Sequence, residues 1–216
     1  MRDFQTSTPT AAPPLYQSVR GEPIDQMGVR MTFARDEELY AQEEDADLVY
    51  RVVSGAVRTT CLMSDGRRHV GAFYFAGEFF GMESGDAHRF SAEALCDTVV
   101  TVMKRTIAER DVQIERLLWT STVQELARTH EHLLLLSRMT AVEKVATFLT
   151  DMATRQGRPE LVFLPMGRQD IADYLGLTIE TVSRMIGQLQ AEGFIELQDT
   201  RHIRVRTRGS LLKRCA

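Results

Sequence analysis

The chain has 216 residues, of which 44% are hydrophobic, and this suffices for two modest domains with apolar cores. Its formal net charge of −4 shows that the chain as a whole is not a polycation that would bind nucleic acid through its net charge alone. Three scattered cysteines, Cys61, Cys96 and Cys215, lack the spacing of a metal or iron–sulfur site, and free thiols fit a reducing cytoplasm. No apolar run reaches membrane length. We therefore expect a cytoplasmic protein that holds no metal and does not cross a membrane.

The chain begins with a segment rich in Thr, Pro and Ala that has no signal-peptide pattern, and we predict a flexible arm over residues 1–27. Residues 28–106 then show short alternating strands separated by turn signals, including a hairpin turn at Ser64-Asp65-Gly66. One of these strands is predicted over 91–103. Many short strands with turns between them predict a small barrel or roll.

Residues 107–138 follow as one long helical pattern. Apolar and small residues recur at heptad spacing along it, at Trp119, Val123, Leu126, His130, Leu133 and Ser137. Such spacing predicts a helix that pairs with its own copy, with His130 packed on the seam rather than binding a ligand. A core helix packed on the roll is the alternative, and both can hold on different faces. The apolar run Leu133–Leu136 predicts burial on several sides at that end.

Residues 139–216 form the last predicted domain. An amphipathic helix over 139–157 and a short strand over 161–164 lead to two short helices within 166–189. Both short helices carry apolar residues at helical spacing, Ile171, Ala172 and Leu175 on the first and Val182, Met185, Ile186 and Leu189 on the second.

The corner between these two helices lies at Leu175-Gly176-Leu177. Gly176 supplies the open backbone angles that a sharp corner needs, and Thr178 is placed to cap the second helix. A helical hairpin in an ordinary globular core remains the alternative for this segment taken alone.

Two alternating strands, 194–197 and 202–205, follow around a turn at 198–201, and helix, turn, helix and β-hairpin is the order of a winged helix. The final sixteen residues hold no acidic residue but six basic ones, namely Arg201, Arg204, Arg206, Arg208, Lys213 and Arg214. A basic wing beside an exposed helix is typical of phosphate contact. Because the second helix buries its apolar positions, its first turns must direct the remaining side chains outward, which suits reading base edges in a DNA major groove.

A roll, a long pairing helix and a winged helix together resemble the CRP/FNR superfamily of bacterial transcription regulators. The resemblance is carried by the segments 43–50, 54–57 and 77–83 of the roll and most specifically by 167–189. Within that last segment, Glu180-Thr181-Val182-Ser183-Arg184 is similar to the reading motif of the FNR branch. The implied fold is α+β, with an N-terminal double-stranded, jelly-roll-like β-roll, a long dimerisation helix and a C-terminal winged helix-turn-helix.

The resemblance implies a homodimer that binds a palindrome with half-sites like TTGA and TCAA six base pairs apart. Arg184 can grip guanine, Glu180 can accept from cytosine, Ser183 can bond either kind of edge and Ile179 can touch a thymine methyl. Positions that contact phosphates in the superfamily are occupied here by Arg168, Gln169, Thr178, Thr181 and Arg201. The dimer interface is expected at Trp119, Val123, Leu126, His130 and Leu133.

The departures from the superfamily concern regulation. No cysteine precedes Cys61, which argues against an oxygen-labile iron–sulfur sensor, and Phe90 stands where cyclic-AMP binders carry the arginine that holds the nucleotide phosphate. Arg89 is one place off, and a one-residue slip turns a strand side chain to the opposite face. His69 and His88 are candidate haem ligands in name only. The combination most resembles the FixK type of activator, which implies no bound cofactor.

Two other functions stay open. A ligand-dependent sensor-regulator of the cyclic-AMP receptor type would bind a small effector in its roll, and a regulatory cyclic-nucleotide domain would serve an enzyme partner. We find no catalytic triad, phosphate-binding loop or metal-spaced carboxylates, so the chain is not expected to be an enzyme itself. The leading expectation is a DNA-binding activator that recruits RNA polymerase.

Overall fold

A computed structural model describes residues 23–157 and 160–206. Most of the predicted arm, together with Arg208, Lys213, Arg214 and Cys215, lies outside the described residues. In chain order the elements are α1 (Pro23–Met27), β1 (Val29–Phe33), β2 (Glu38–Tyr40), β3 (Leu48–Ser54), β4 (Ala56–Leu62), β5 (Arg68–Phe75), β6 (Phe79–Phe80), β7 (Ser91–Ala94), β8 (Thr98–Lys104), α2 (Arg105–Ala108), α3 (Val112–Arg138), α4 (Ala141–Arg155), β9 (Leu161–Phe163), α5 (Arg168–Leu175), α6 (Ile179–Ala191), β10 (Ile195–Leu197) and β11 (His202–Val205).

The roll consists of two four-stranded antiparallel sheets, with strand orders β1-β8-β3-β6 and β2-β7-β4-β5. Side chains from both sheets meet in one apolar cluster, which includes Val52 and Val100 from the first sheet and Val57 and Ala92 from the second. The predicted hairpin turn joins β4 to β5, where Gly66 has a φ of 82°. The prediction of a double-stranded roll is confirmed.

The strand predicted over 91–103 is two strands in the structure. β7 pairs with β4 in one sheet, whereas β8 pairs with β3 in the other. At the corner between them, the Thr98 hydroxyl donates to the carbonyl oxygens of Cys96 and Ala56 at 2.7 and 3.1 Å. The alternation of apolar residues survives the change of sheet, so the sequence pattern does not reveal the break.

The last residues of the predicted arm are packed against the roll. In α1, Ile24 is buried, and the Asp25 carboxylate accepts two bonds from Arg51, at 3.0 and 2.9 Å, and one from the Thr101 hydroxyl. Both members of the ion pair are nearly inaccessible to solvent. The residues of α1 thus pack on the roll, although they fall within the predicted arm.

The helix α3 runs for 27 residues and begins at Asp111, whose carboxylate accepts from the backbone N–H groups of Gln113 and Ile114. One face packs inward through Ile114 and Leu135. The expectation that 133–136 is buried on several sides is wrong for the protomer, because Leu133 and Leu134 are 63% and 59% exposed. Four consecutive residues surround a helix, whereas this protomer covers only one side of α3.

The C-terminal domain packs α4, α5 and α6 on a three-stranded sheet with the order β10-β11-β9. The apolar residues predicted for the two short helices are all buried in its core. Gly176 takes the left-handed conformation at the end of α5, with a φ of 62°, which is the corner that the sequence predicts. Phe73 and Phe75 of the roll belong to the same core cluster, so the two domains share packing.

Candidate nucleic-acid interface

The helix α6 begins with a well-defined cap. The Thr178 hydroxyl accepts from the Thr181 backbone N–H at 3.2 Å, as a Thr at this position is expected to do. Four apolar residues hold the helix on the core by their burial, namely Val182, Met185, Ile186 and Leu189. The opposite side of α6 therefore faces outward from its first turn onward.

The four predicted base-reading residues lie together on this outward side. Glu180, Ser183 and Arg184 are exposed, and Ile179 is 38% exposed although it is a large apolar residue. Their positions, two in the first turn and two in the second, form one surface patch on α6. A guanidinium, a carboxylate, a hydroxyl and a branched apolar chain then project from the start of a protruding helix. This set can hydrogen-bond base edges and contact a thymine methyl in a major groove.

The charge of Glu180 is set by its place at the helix start. Its own backbone N–H and the Thr178 hydroxyl hold the pKa of its carboxyl below the usual value. The side chain is therefore ionised at neutral pH and can act only as an acceptor. Such an acceptor matches the cytosine amino group and discriminates against base edges that offer only acceptors.

Three of the predicted phosphate-contacting residues lie beside the reading patch. Thr178 and Thr181 approach each other with hydroxyl oxygens 3.1 Å apart at the start of α6. Gln169 is exposed on α5, and its amide nitrogen donates to the Asp173 carboxylate at 2.6 Å. All three line a cleft of about 980 Å³ between the β4–β5 hairpin and the two short helices.

The other two, Arg168 and Arg201, make hydrogen bonds within the chain. Arg201 donates to the Pro165 carbonyl oxygen at 3.2 Å, and Arg168 donates to the Thr200 carbonyl oxygen at 3.5 Å. Burial lowers the pKa of the Arg168 guanidinium. The two arginines thus tie the turn of the wing to the start of α5, a structural role that the sequence does not disclose.

The predicted dimer seam is exposed along α3. Trp119 is 70% exposed, Val123, Leu126 and Leu133 are also largely exposed, and His130 lies on the same surface. A groove of about 570 Å³ adjoins this seam near the start of α3 and is lined in part by Trp119, Leu118 and Met82. The inner face of the same helix packs inward, as the alternative of a core helix expects, while the outer face leaves the predicted seam uncovered in the protomer.

Sequence reasoning did not find a set of ion pairs between the roll and α5. Arg58 and Arg68 reach Asp170 and Asp173 across the domain boundary. The partners are more than a hundred residues apart in the chain, and no local pattern marks them.

The roll holds a cavity of about 380 Å³, lined in part by Glu83, Arg89, Phe90 and Glu125. Among these described lining residues, Arg89 is the one that carries a guanidinium group. Its Nε already donates to Glu83 at 2.9 Å, and its side chain is 74% exposed. The Phe90 ring lies against Gly71, where an added Cβ would meet it at 2.6 Å. Two carboxylates, one paired arginine and a phenyl ring do not fit the anionic phosphate of a cyclic nucleotide.

The two histidines considered as haem ligands have different surroundings. His88 is buried, and its ring stacks on the Tyr40 ring with centroids 3.6 Å apart. His69 lies at the rim shared by two clefts. Among the described residues, no cluster of three histidine, cysteine or acidic side chains could hold a metal ion. In the same part of the chain, no helix combines the length and apolar character needed to span a bilayer.

Residues 143–214 match the family described as a Crp-like helix-turn-helix domain, and residues 30–110 match the cyclic nucleotide-binding domain family. The chain is 44% identical over 197 residues to the nitrogen fixation regulation protein FixK of Azorhizobium caulinodans. The aligned region covers 87% of this chain and 79% of that protein. It is 43% identical to the FixK of Rhizobium meliloti, with 89% and 91% of the two chains covered.

Among solved structures, FixK2 from Bradyrhizobium japonicum superposes with a TM-score of 0.82 at 47% identity, over 88% of this chain and 98% of that chain. These relatives are transcription regulators rather than enzymes. The fold described above is therefore shared with a solved structure of a FixK protein. The chain therefore belongs to the CRP/FNR family of DNA-binding transcription regulators and is of the FixK type.

Proposed function

We propose that the chain acts in the cytoplasm as a homodimeric activator that binds an FNR-like palindrome, TTGA-N6-TCAA, without a bound cofactor and recruits RNA polymerase there. The observation that carries this proposal is the exposed patch of Ile179, Glu180, Ser183 and Arg184 on a helix whose other face is buried. In this patch Arg184 reads the guanine of each half-site through two parallel hydrogen bonds, and Glu180 accepts from the cytosine amino group.

Dimerisation is supported by the length and exposure of α3. A helix of 27 residues extends about 40 Å and leaves a row of large apolar side chains uncovered along most of it. Heptad spacing places these side chains on one seam, which a second copy of the same helix can cover. Two reading helices held one helical turn apart then contact the same face of a duplex.

Control without a bound effector is supported by the contents of the roll. Among the described residues that line its cavity, Arg89 already donates to Glu83, and the Phe90 ring packs against Gly71. The relatives named as regulators of nitrogen fixation support target genes of that class for this chain.

Binding of the untreated protein to a fluorescent duplex tests the proposal. The duplex carries TTGA-N6-TCAA, and a matched duplex carries both half-sites scrambled. We expect salt-dependent binding to both, with tighter binding to the palindrome at physiological salt. Equal affinity for the two duplexes would contradict sequence-specific recognition.

A second candidate function is a sensor-regulator whose roll binds a small effector, and the 380 Å³ cavity favours it. Calorimetric titration of the purified protein with cyclic AMP and cyclic GMP separates the two candidates. We expect no binding isotherm. An isotherm together with tighter palindrome binding in the presence of the nucleotide would favour the sensor.

A further inference from the structure

The helix α5 carries a face, outside the reading patch, that is turned toward the roll and α3. Asp170, Asp173 and Tyr174 lie on this face at helical spacing. Asp170 is buried, although an acidic residue is rarely buried unless it is paired. The face packs against β4 and β5 of the roll and against α3.

The first contact comes from Arg58 on β4. Its Nη1 donates to both carboxylate oxygens of Asp170, each at 3.1 Å. Glu93 accepts from the Nε of the same guanidinium at 2.8 Å, and Asp36 from its Nη2 at 3.5 Å. Arg58 is thus held from the roll side in the orientation that meets α5, and it is largely buried there.

The second contact comes from Arg68 on β5, close to the tip of the hairpin. Its Nη2 donates to Asp170 at 2.7 Å and its Nε donates to Asp173 at 2.9 Å. The other oxygen of Asp173 accepts from the amide of Gln169 at 2.6 Å. A hydrogen-bonded chain therefore runs from the roll to a side chain on the DNA-facing surface.

The same contacts fix the start of the helix. The Oδ2 atom of Asp170 accepts from the Gly167 backbone N–H at 3.0 Å, which closes the first turn of α5. From α3, His132 hydrogen-bonds the Tyr174 carbonyl oxygen at 2.8 Å, and its ring stacks on the Tyr174 ring. Since α5 packs on α6 in the common core, the orientation of α5 determines that of the reading helix.

We propose that Arg58 and Arg68 are positioning residues that set the angle between the winged helix and the roll. They act through their ion pairs with Asp170 and Asp173, which we call the clasp. This proposal rests on the dimeric palindrome binding proposed above. Ion pairs buried at a boundary contribute little net stability after desolvation, but they specify one geometry because their partners are costly to leave unpaired. In a dimer, this geometry selects one separation between half-sites.

The consequence is a strict preference for one spacer length. Adding or removing one base pair rotates a half-site by roughly 35° around the duplex axis, so a fixed pair of reading helices cannot follow it. A winged helix released from the clasp can tilt, and it then loses affinity for the correct spacing while it tolerates the others better.

The test compares Arg68→Gln with Arg67→Gln in the full chain. Arg67 is the matched control because its side chain is 80% exposed and its ion pair is with Asp65 of the same hairpin rather than with a residue of α5. Binding is measured on duplexes whose half-sites are separated by five, six or seven base pairs. For Arg68→Gln we expect about tenfold weaker binding at six base pairs, the range of typical inter-site coupling, and a flatter dependence on spacing. Arg68→Lys keeps one charged contact and should restore part of the preference.

Hydrogen exchange of the α5 amides, measured without DNA, provides a second readout. Arg68→Gln should speed exchange in α5, whereas Arg67→Gln should not. If Arg68→Gln matches the wild type in exchange and in spacing preference, the clasp has no positioning role and the inference is overturned while the proposed function stands. A wild type that binds no palindrome contradicts the proposed function, and the inference falls with it.

Discussion

At the residue scale, the proposed recognition of DNA depends on side chains that lie in the first two turns of α6. Arg184 and Ser183 project one turn beyond the capped start, and Glu180 is held ionised by donors in that start. Each can therefore be removed without removing a residue of the core. The contribution of a single base contact can then be measured separately from that of folding.

Arg184→Ala should relax the preference for the G·C pair of each half-site at a cost of about 1–3 kcal/mol per half-site, because alanine cannot form the bidentate contact to guanine. Competition binding with the G·C pair substituted provides the measurement. Arg201→Ala is the comparison variant, and because it also removes the hydrogen bond to the Pro165 carbonyl oxygen, its folding is checked first. Loss of a phosphate contact should weaken all sequences alike and reduce the salt slope by about one. An Arg184→Ala protein that keeps its preference at this pair would refute the assignment of Arg184.

His88 predicts a dependence of stability on pH. Burial lowers the pKa of its imidazole, and neither ring nitrogen has a hydrogen-bond partner among the described residues. As the pH falls below about 6.5, the unfolded chain binds a proton that the folded chain refuses, so the free energy of unfolding decreases. His132 is shifted in the same direction, also by burial.

His88→Leu should therefore reduce, without abolishing, the loss of stability between pH 7.5 and 5.5. Urea denaturation of the variant and of the wild type at both pH values measures the change. A pH dependence unchanged by His88→Leu would show that this imidazole is not responsible.

At the element scale, the periodicity of apolar residues predicts individual helices and strands but not the contacts between residues that are far apart in the chain. The spacing of Ile171, Leu175, Val182 and Ile186 is sufficient to place both short helices, and the structure buries all four. The same reasoning cannot find the Arg58–Asp170 contact, which joins residues 112 positions apart. The apolar run Leu133–Leu136 likewise does not reveal which side of α3 is covered by the rest of the protomer.

The helix α1 illustrates the same limit. Five residues have too little periodicity to predict an element, and the buried Asp25–Arg51 pair that holds them spans 26 positions. The sequence alone therefore predicts that this segment is part of the arm, because its ion pair with Arg51 on β3 is visible only in the structure.

Asp25→Asn should destabilise the chain by about 3–5 kcal/mol, because it leaves the buried guanidinium of Arg51 without its counter-charge. Urea denaturation at neutral pH measures the change. Asp65→Asn, which breaks the exposed pair with Arg67, is the control and should leave the midpoint unchanged. Equal midpoints for the two variants would contradict the anchoring role of α1.

At the scale of the whole molecule, the two faces of α3 have different surroundings, and the outer face is the proposed dimer interface. The inner face of α3 packs inward through the buried side chains of Ile114 and Leu135. Its outer face holds the exposed residues of the predicted dimer seam. A second copy on that seam would bring two winged helices to one side of the assembly. The clasp then fixes each winged helix relative to its own roll, so that the distance between the two reading patches becomes a property of the dimer.

Leu126→Glu should convert the dimer into a monomer and abolish tight palindrome binding, because a charge on the seam would be buried without a partner. Sedimentation velocity gives the mass and duplex binding gives the consequence. Gln124→Glu introduces the same charge two residues away on the exposed side of α3 and should change neither. A Leu126→Glu protein that remains dimeric would place the interface elsewhere.

The most direct test of the central claim is the selection of bound sequences from a random duplex pool by the untreated wild-type protein. The account predicts enrichment of two inverted half-sites, TTGA and TCAA, separated by six base pairs, with no small molecule added. Enrichment of a single unpaired half-site, or of no sequence at all, would contradict a dimer that reads DNA through Glu180 and Arg184.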